Sequence, residues 1–455
     1  MIRVLLAALL ATLGIVGAAA GAVTPRYDIV LILSDDQRAD TLEVMPSVRR
    51  LLGDRGVRFL NAFASTPLCC PSRATILTGL YAHHHGVLDN DAPDGGAARF
   101  RDEETIAVTL HRAGYRTAWI GKYMNEYDLI APRIPPGWDE WQVFWSPGYF
   151  NYMLVENTRY RQYGGPAAAS AAADYSTDVL AGKAVRFVET TPPGRPLFLA
   201  FAPYAPHDPA RPHPRDADAL PSFSLRRTPS FNEADMSDKP APLRRKPLLT
   251  AAQIEDLRDF ARRQAQTLLA VDRAVARLVA ALERSGRGRR AVIIYMSDNG
   301  LAWGEHRINS RKACPYDECA RIPLIIRAPG LLPRRESQPV STIDIAPTIA
   351  QWAGTALTRR PDGRSLIPLL QDSRTPWRQH VLLEVFGQPP LWVPDFQAVR
   401  TARFLYVRYV TGAGELYDLA RDPWQVDNVY GQAAFGAVAA DLQRVLDTLR
   451  SAQRR

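Results

Sequence analysis

The chain has 455 residues, 46% hydrophobic and 23% charged, with 56 Lys and Arg against 47 Asp and Glu, a net charge of +9 and an isoelectric point near 9.5. That length allows two domains, and the balance is that of a globular chain with a large core, which excludes a disordered or fibrous protein. The Arg excess suits an anionic ligand or reflects a composition rich in Ala, Arg, Pro and Gly, while the absence of a Lys/Arg run with interleaved aromatics argues against nucleic acid.

Residues 1–22 have a basic start, an apolar segment and a small-residue end, the parts of a signal peptide, so a secreted or periplasmic location is expected. The apolar run is short for a membrane anchor, and no second span follows. Residues 27–33 form a nearly unbroken apolar run, read as a parallel strand buried on both faces, and they end in Ser34-Asp35-Asp36-Gln37. Ligands of open α/β sheets sit at the carboxyl ends of strands, which places Asp35 and Asp36 for a metal, although a helix cap explains one such acid equally well. A short helix at 45–52 and a strand at 57–63 follow.

Pro67-Leu68-Cys69-Cys70-Pro71-Ser72-Arg73-Ala74-Thr75-Ile76-Leu77-Thr78-Gly79 starts a helix. Pro71 suits a first turn, so Cys69 lies at the positive end of the helix dipole with Arg73 close by, a site for an anion. Taken alone, two cysteines read equally as a buried structural pair. An amphipathic helix at 104–113 and a strand at 116–120 lead to Gly121-Lys122-Tyr123-Met124-Asn125-Glu126-Tyr127. A helix at 175–189 and a strand at 196–202 lead to Pro203-Tyr204-Ala205-Pro206-His207. Residues 208–248, rich in Pro, Arg and Asp, form a long loop over the site or are disordered.

A long helix spans 250–284, and the strand 291–296 ends in Ser297-Asp298-Asn299-Gly300. Gly304-Glu305-His306-Arg307, Lys312 and a strand at 322–329 come next, and Asp344 caps a helix within 341–353. Cys314 and Cys319 are close enough in sequence to bridge. Strands at 380–386, 397–401, 404–409 and 415–419 and a helix at 433–451 build a smaller α+β domain, 373–455, beside a large domain, 23–372.

Cys69-Cys70-Pro71-Ser72-Arg73 with Leu77-Thr78-Gly79 resembles the signature of the type I, formylglycine-dependent sulfatases of the alkaline-phosphatase superfamily, and the resemblance covers nearly the whole mature chain. It implies an α/β fold: a large, mixed, mostly parallel sheet sandwiched by helices, with a smaller C-terminal antiparallel sheet. It marks Cys69 for oxidation to formylglycine by a formylglycine-generating enzyme. The hydrated aldehyde then offers one hydroxyl to attack sulfur and another to expel sulfate. It also implies Ca²⁺, with Mg²⁺ less suited, held by Asp35, Asp36, the residue at 69, Asp298 and Asn299, a hard-cation set.

By the same resemblance Lys122 bridges formylglycine and the substrate sulfate, His207 holds the sulfate, and Lys312 binds it or protonates the leaving group. His306 is structural or an acid–base group, since Met124 stands where many members have His. The segments 121–127 and 135–141 resemble the branch acting on 6-O-sulfated N-acetylglucosamine and on extracellular heparan sulfate, so a 6-O-sulfated glucosamine glycan is the expected substrate. Arg211, Arg215, Arg226 and Arg227 are candidates to touch it. The alternatives are a phosphonate or phosphate ester hydrolase, and a non-catalytic secreted anion-binding protein on the same scaffold.

Overall fold

The computed structural model describes residues 27–165, 172–387 and 393–451, so the expected leader at 1–22 lies outside the described residues. Ten strands make one sheet: β1 Asp28–Ser34, β2 Val57–Phe59, β3 Arg116–Gly121, β4 Glu140–Ser146, β5 Tyr152–Glu156, β6 Arg159–Tyr163, β7 Leu197–Ala202, β8 Ala291–Ser297, β9 Leu324–Arg327 and β10 Arg334–Glu336. Their order is β10-β2-β9-β8-β1-β7-β3-β4-β5-β6. The inner strands β8, β1, β7, β3 and β4 are mutually parallel, and β9 and β5 begin antiparallel margins. Every residue of β1, β7 and β8 is buried, as their unbroken apolar runs require of strands covered on both faces.

Side chains of β1 alternate between two cores. Ile29, Leu31 and Leu33 pack in the layer of helices α2 Cys69–Thr78, α3 Ile106–Arg112 and α6 Ile345–Trp352. Val30 and Ile32 pack in the layer of α1 Pro46–Leu51, α4 Ser176–Thr190 and α5 Ala251–Arg284. The 34-residue α5 opens with a Thr250/Gln253 capping box and presents Leu268, Val271, Val275, Leu278 and Leu282 as its buried stripe.

A meander of β11 His380–Val385, β12 Phe396–Thr401, β13 Phe404–Tyr409 and β14 Gly414–Asp418 forms the C-terminal antiparallel sheet. One face packs on helix α7 Gly436–Ser451 through Leu442 and Leu446. The other shares a core with Phe63, Leu68 and Tyr316, so the small sheet closes on the turn that leads into Cys69.

The expected strand at 57–63 is two strands. β2 leaves the large sheet at Leu60, whose N–H bonds Glu336 O, and Ala62–Phe63 then pairs with Val340–Ser341 in a separate ribbon. The expected helix at 341–353 begins as a 3₁₀ turn, Thr342–Asp344, and Asp344 is the reciprocal member of its capping box, its carboxylate accepting from Ser341 N–H at 3.0 Å. Within 208–248, Leu225, Phe231, Met236 and Leu243 are buried, which makes this loop a packed covering. Cys314 and Cys319 form a disulfide, with S–S 2.05 Å.

Candidate functional site

Register brings the site together. Ser34 of β1 lies opposite Ser297 of β8, and Gly121 of β3 lies opposite Ala202 of β7, so the segments carrying Asp35, Lys122, His207 and Asp298 leave the sheet at one edge. Asp36 adopts φ +64°, a left-handed conformation that Asp tolerates, and the two consecutive carboxylates thereby turn toward one point instead of alternating as in a strand. Above them α2 begins at Cys69 itself.

Cys69 Sγ lies 2.8 Å from Lys312 Nζ, 3.4 Å from Lys122 Nζ and 3.4 Å from Asp35 Oδ1. Lys122 Nζ pairs with Asp35 Oδ2 at 2.6 Å, and Lys312 Nζ with Asp36 Oδ1 at 2.6 Å. Arg73, fully buried one turn into α2, donates Nε to Asp298 Oδ2 at 2.8 Å and an Nη to Lys122 O at 2.6 Å. His207 gives Nδ1 to Asp208 O at 2.8 Å, which leaves Nε2 directed at Asp36 Oδ2, 3.6 Å away.

These distances decide the protonation states. Burial alone would raise the Asp35 carboxyl, but Lys122, His207, Arg73 and Lys312 outweigh it and hold it far below the usual carboxylate range. Burial, followed by the Asp35 charge, pushes the Cys69 thiol far up in spite of Lys122 and Lys312. An unmodified Cys69 is therefore a neutral thiol and a weak nucleophile. Burial keeps His207 below its ordinary value against the pull of Asp36 and Asp35, so its imidazole is neutral near pH 7. Lys312 is held well above its ordinary value, since Asp36, Cys69 and Asp35 overcome the cost of burial.

A metal ion could be held here: ligand atoms of Asp35, Asp36, Cys69 and His207 lie within 4.8 Å of one another, and beside them Asn299 Oδ1 is a buried amide oxygen with no hydrogen-bond partner. Asn299 also donates Nδ2 to Asp36 Oδ1 at 2.7 Å, so its amide is oriented by the acid beside it. Asp298 also ties the main chain of the site together. Its Oδ1 accepts from Asp36 N–H and Asn299 N–H at 3.1 and 2.8 Å and its Oδ2 from Arg73, so it organises the main chain around the site.

His306 lies in a different buried network. Its Nδ1 pairs with Glu233 at 2.7 Å and its ring stacks on Tyr316 at 3.9 Å, while Glu233 also pairs with Lys239. Of the candidate arginines, Arg215 is bound to Asp178 at 2.8 Å, Arg226 lies 4.0 Å from Glu43, Arg227 covers Phe231, and Arg211 covers Phe150. Three contributors escaped sequence reasoning. Asn90 Oδ1 accepts from Cys70 N–H at 2.9 Å, Tyr204 stacks on His207 at 4.8 Å, and Tyr149 Oη donates to His207 O at 2.7 Å. Only Tyr204 carried a signal, as an aromatic residue at a strand end beside the Pro-framed histidine.

The family profile described as Sulfatase matches residues 27–355, and the one described as N-sulphoglucosamine sulphohydrolase, C-terminal, matches 304–452. Human N-acetylglucosamine-6-sulfatase is 34% identical over 393 residues, 83% of this chain and 70% of that protein. An extracellular sulfatase Sulf-1 homolog of Caenorhabditis elegans is 32% identical over 433 residues, 90% of this chain; the chain spans 59% of that relative's length. A solved structure in complex with D-glucosamine-2-N,6-O-disulfate superposes with TM-score 0.82 at 24% identity, covering 94% of this chain and 99% of the other. The phosphonate monoester hydrolase of Agrobacterium radiobacter superposes with TM-score 0.75 at 24% identity, covering 94% and 96%. At these identities the superpositions speak for the fold.

Proposed function

The chain belongs to the sulfatase family, and from that premise we propose that it hydrolyses sulfate esters of a sugar, with a 6-O-sulfated N-acetylglucosamine or glucosamine unit of a glycan as substrate. The convergence of Lys122, Lys312, Asp35 and Asp36 on Cys69 Sγ carries this reading. Lys122 and Lys312 bind the oxygens of the substrate sulfate, and His207 helps to hold it. Lys312, charged and in contact with position 69, is the group placed to give a proton to the departing sugar hydroxyl. Arg73 keeps Asp298 and the Lys122 turn fixed around them.

Asp35, Asp36, Asn299 and the residue at 69, with Asp298 beside them, are the donors for Ca²⁺; when bound, that ion offsets the charge of the sulfate oxygens and polarises the ester. Formylglycine at 69, installed by a formylglycine-generating enzyme, supplies the nucleophilic hydroxyl that a neutral thiol lacks. Residues 1–22 direct export, and no helix among the described residues is long and apolar enough to cross a membrane. The catalytic unit is assigned to 23–372 and the smaller unit to 373–455.

Two measurements test the reading. Mass spectrometry of the Cys69 peptide from the native host should find the aldehyde, and a wholly unmodified thiol would remove the mechanism. Rates on 6-O-, 3-O-, 2-O- and N-sulfated saccharides beside aryl sulfate and aryl phosphonate esters should place the 6-O-sulfated glucosamines first. A strong preference for phosphonate reverses the assignment.

A further inference from the structure

We propose that the Cys314–Cys319 disulfide is a positioning device for the reaction: it fixes the segment that carries Lys312, so that the ammonium stays on position 69. This rests on the sulfate-ester reading and deepens it. Lys312 Nζ lies 2.8 Å from Cys69 Sγ and 2.6 Å from Asp36 Oδ1, yet its main chain belongs to no helix or strand. Upstream it is supported by the short ribbon of Ala302–Trp303 and Asn309–Arg311, whose register shifts between Ala302 and Trp303. Ser310 has φ +50° and Ala313 φ +59°, left-handed conformations that a residue with a Cβ adopts at a cost. Such conformations persist where the surroundings over-determine them.

The bridge supplies that constraint. Cys314 is two residues beyond Lys312, both cysteines are fully buried, and Cys319 Sγ lies 3.7 Å from Arg311 O, the carbonyl of the peptide that leads into Lys312. The far part of the bridged loop is anchored three times over. Cys319 O accepts from Gly300 N–H at 2.8 Å, Ala320 O accepts from Ala64 N–H at 2.8 Å, and Tyr316 stacks on His306 and donates its hydroxyl to Glu415 Oε1 at 3.0 Å. Gly300 follows Asn299, and a Cβ on it would lie 2.1 Å from Glu318 O, so the loop presses on the turn that carries Asp298 and Asn299. On the near side Ala313 N–H donates to Pro67 O at 2.9 Å, two residues before Cys69. The disulfide thus passes the anchorage of 316–320 on to 312–314.

A role in stability alone fits poorly. The entropic gain from a bridge shrinks with the loop it closes, and this one joins residues five positions apart. The local effect is the larger one, because misplacing a reacting group by about 1 Å can cost on the order of a hundredfold in rate. Lys312 is the group placed to protonate the departing sugar hydroxyl, a transfer that requires hydrogen-bond reach.

The test compares wild type with C314A/C319A, matched for aldehyde content by mass spectrometry, on a 6-O-sulfated glucosamine and on 4-nitrophenyl sulfate, whose leaving group needs no proton. The variant should lose about tenfold or more in kcat on the sugar and about threefold or less on the aryl ester, a split that general destabilisation does not produce. In a cycle with K312M the two losses on the sugar should not add, because the bridge acts through Lys312. Equal losses on the two esters, or additive losses, overturn the proposal. C314S/C319S carries the same comparison if the alanine pair does not fold, and failure of both to fold makes the bridge a requirement of the fold and overturns the proposal too. Calorimetry of inorganic sulfate binding to the C69A chain separates this role from the hydrolase reading: affinity should fall about fivefold or more in C69A/C314A/C319A. That fall in a protein whose wild type cleaves neither ester refutes the hydrolase reading and leaves the positioning role standing. An unchanged affinity refutes the positioning role alone.

Discussion

Arg73 Nε lies 2.8 Å from Asp298 Oδ2 with both side chains fully buried, an ion pair that joins the first turn of α2 to the end of β8 across 225 residues. The same guanidinium donates to Lys122 O and Tyr123 O at 2.6 and 3.2 Å. One side chain thus fixes the two strand ends between which Cys69 is held. Desolvating two charges makes such a pair a weak source of net stability, but losing one partner strands the other in the core.

Arg73→Ala should therefore cost about 3–5 kcal/mol in urea denaturation, the range for a broken buried pair. Arg73→Lys keeps the charge but loses the planar fork, and should recover less than half of the loss. A variant within 1 kcal/mol of wild type would show that water or rearrangement satisfies Asp298.

Removing the metal should act on stability as well as activity. Asp35 and Asp36 bring two carboxylates together beside the unpaired Asn299 Oδ1, with Lys122 and Lys312 offsetting only part of that charge, so Ca²⁺ added to chelator-stripped protein should raise the melting midpoint. At a hundred times Kd the gain is about 2.7 kcal/mol. Mg²⁺ should do less, because it gives up its waters reluctantly and is seldom held by an all-protein set of ligands. Asp36→Asn should abolish the shift. A stripped, formylglycine-bearing protein with an unshifted midpoint and full activity would remove the metal assignment.

The central fold was legible because β7 is apolar throughout and β1 and β8 nearly so, a pattern that suits strands covered on both faces. The site edge was legible because acids close β1 and β8, at Asp35 and Asp298, and a Pro-framed histidine follows β7. What stayed hidden depends on distant partners. The break in 57–63 arises because Glu336 takes up Leu60 while Val340 takes up Ala62. Nothing local announces either pairing. The fate of His306 hinges on Glu233, 73 positions upstream in a weakly periodic loop. The bulge at Trp145 belongs to backbone register with β5, and the apolar run Val143-Phe144-Trp145 gives no local sign of it.

His306→Gln separates the two roles the sequence left open for that residue. Held by Glu233 and stacked on Tyr316, it should act as a positioning residue. The variant should lower stability by about 1–3 kcal/mol for an unsatisfied buried partner, read as a lower melting midpoint. It should leave the limbs of the pH–rate profile where they were. A displaced limb would return His306 to acid–base chemistry.

Stability should fall as pH rises above the acidic range, through Glu415. Burial pushes its carboxyl from the ordinary 4.5 up to about 7, against Lys239 and the hydroxyls of Tyr409, Tyr316 and Tyr417. The folded state therefore binds the proton more tightly than the unfolded one. The resulting stabilisation is fully present below about pH 4.5 and is lost as pH rises through about 7, a change on the order of 3 kcal/mol. Glu318, raised by burial and by Glu305 to about 8, adds in the same direction, while His85, lowered by burial to about 3, opposes it below its ordinary 6.5. The informative quantity is thus the difference between wild type and Glu415→Gln, whose amide stays neutral, its oxygen accepting from one of the Tyr316 and Tyr409 hydroxyls and its NH2 donating to the other. Urea midpoints at pH 5 and pH 8 should show a smaller drop in the variant, and parallel drops would mean that Glu415 keeps its charge in the fold.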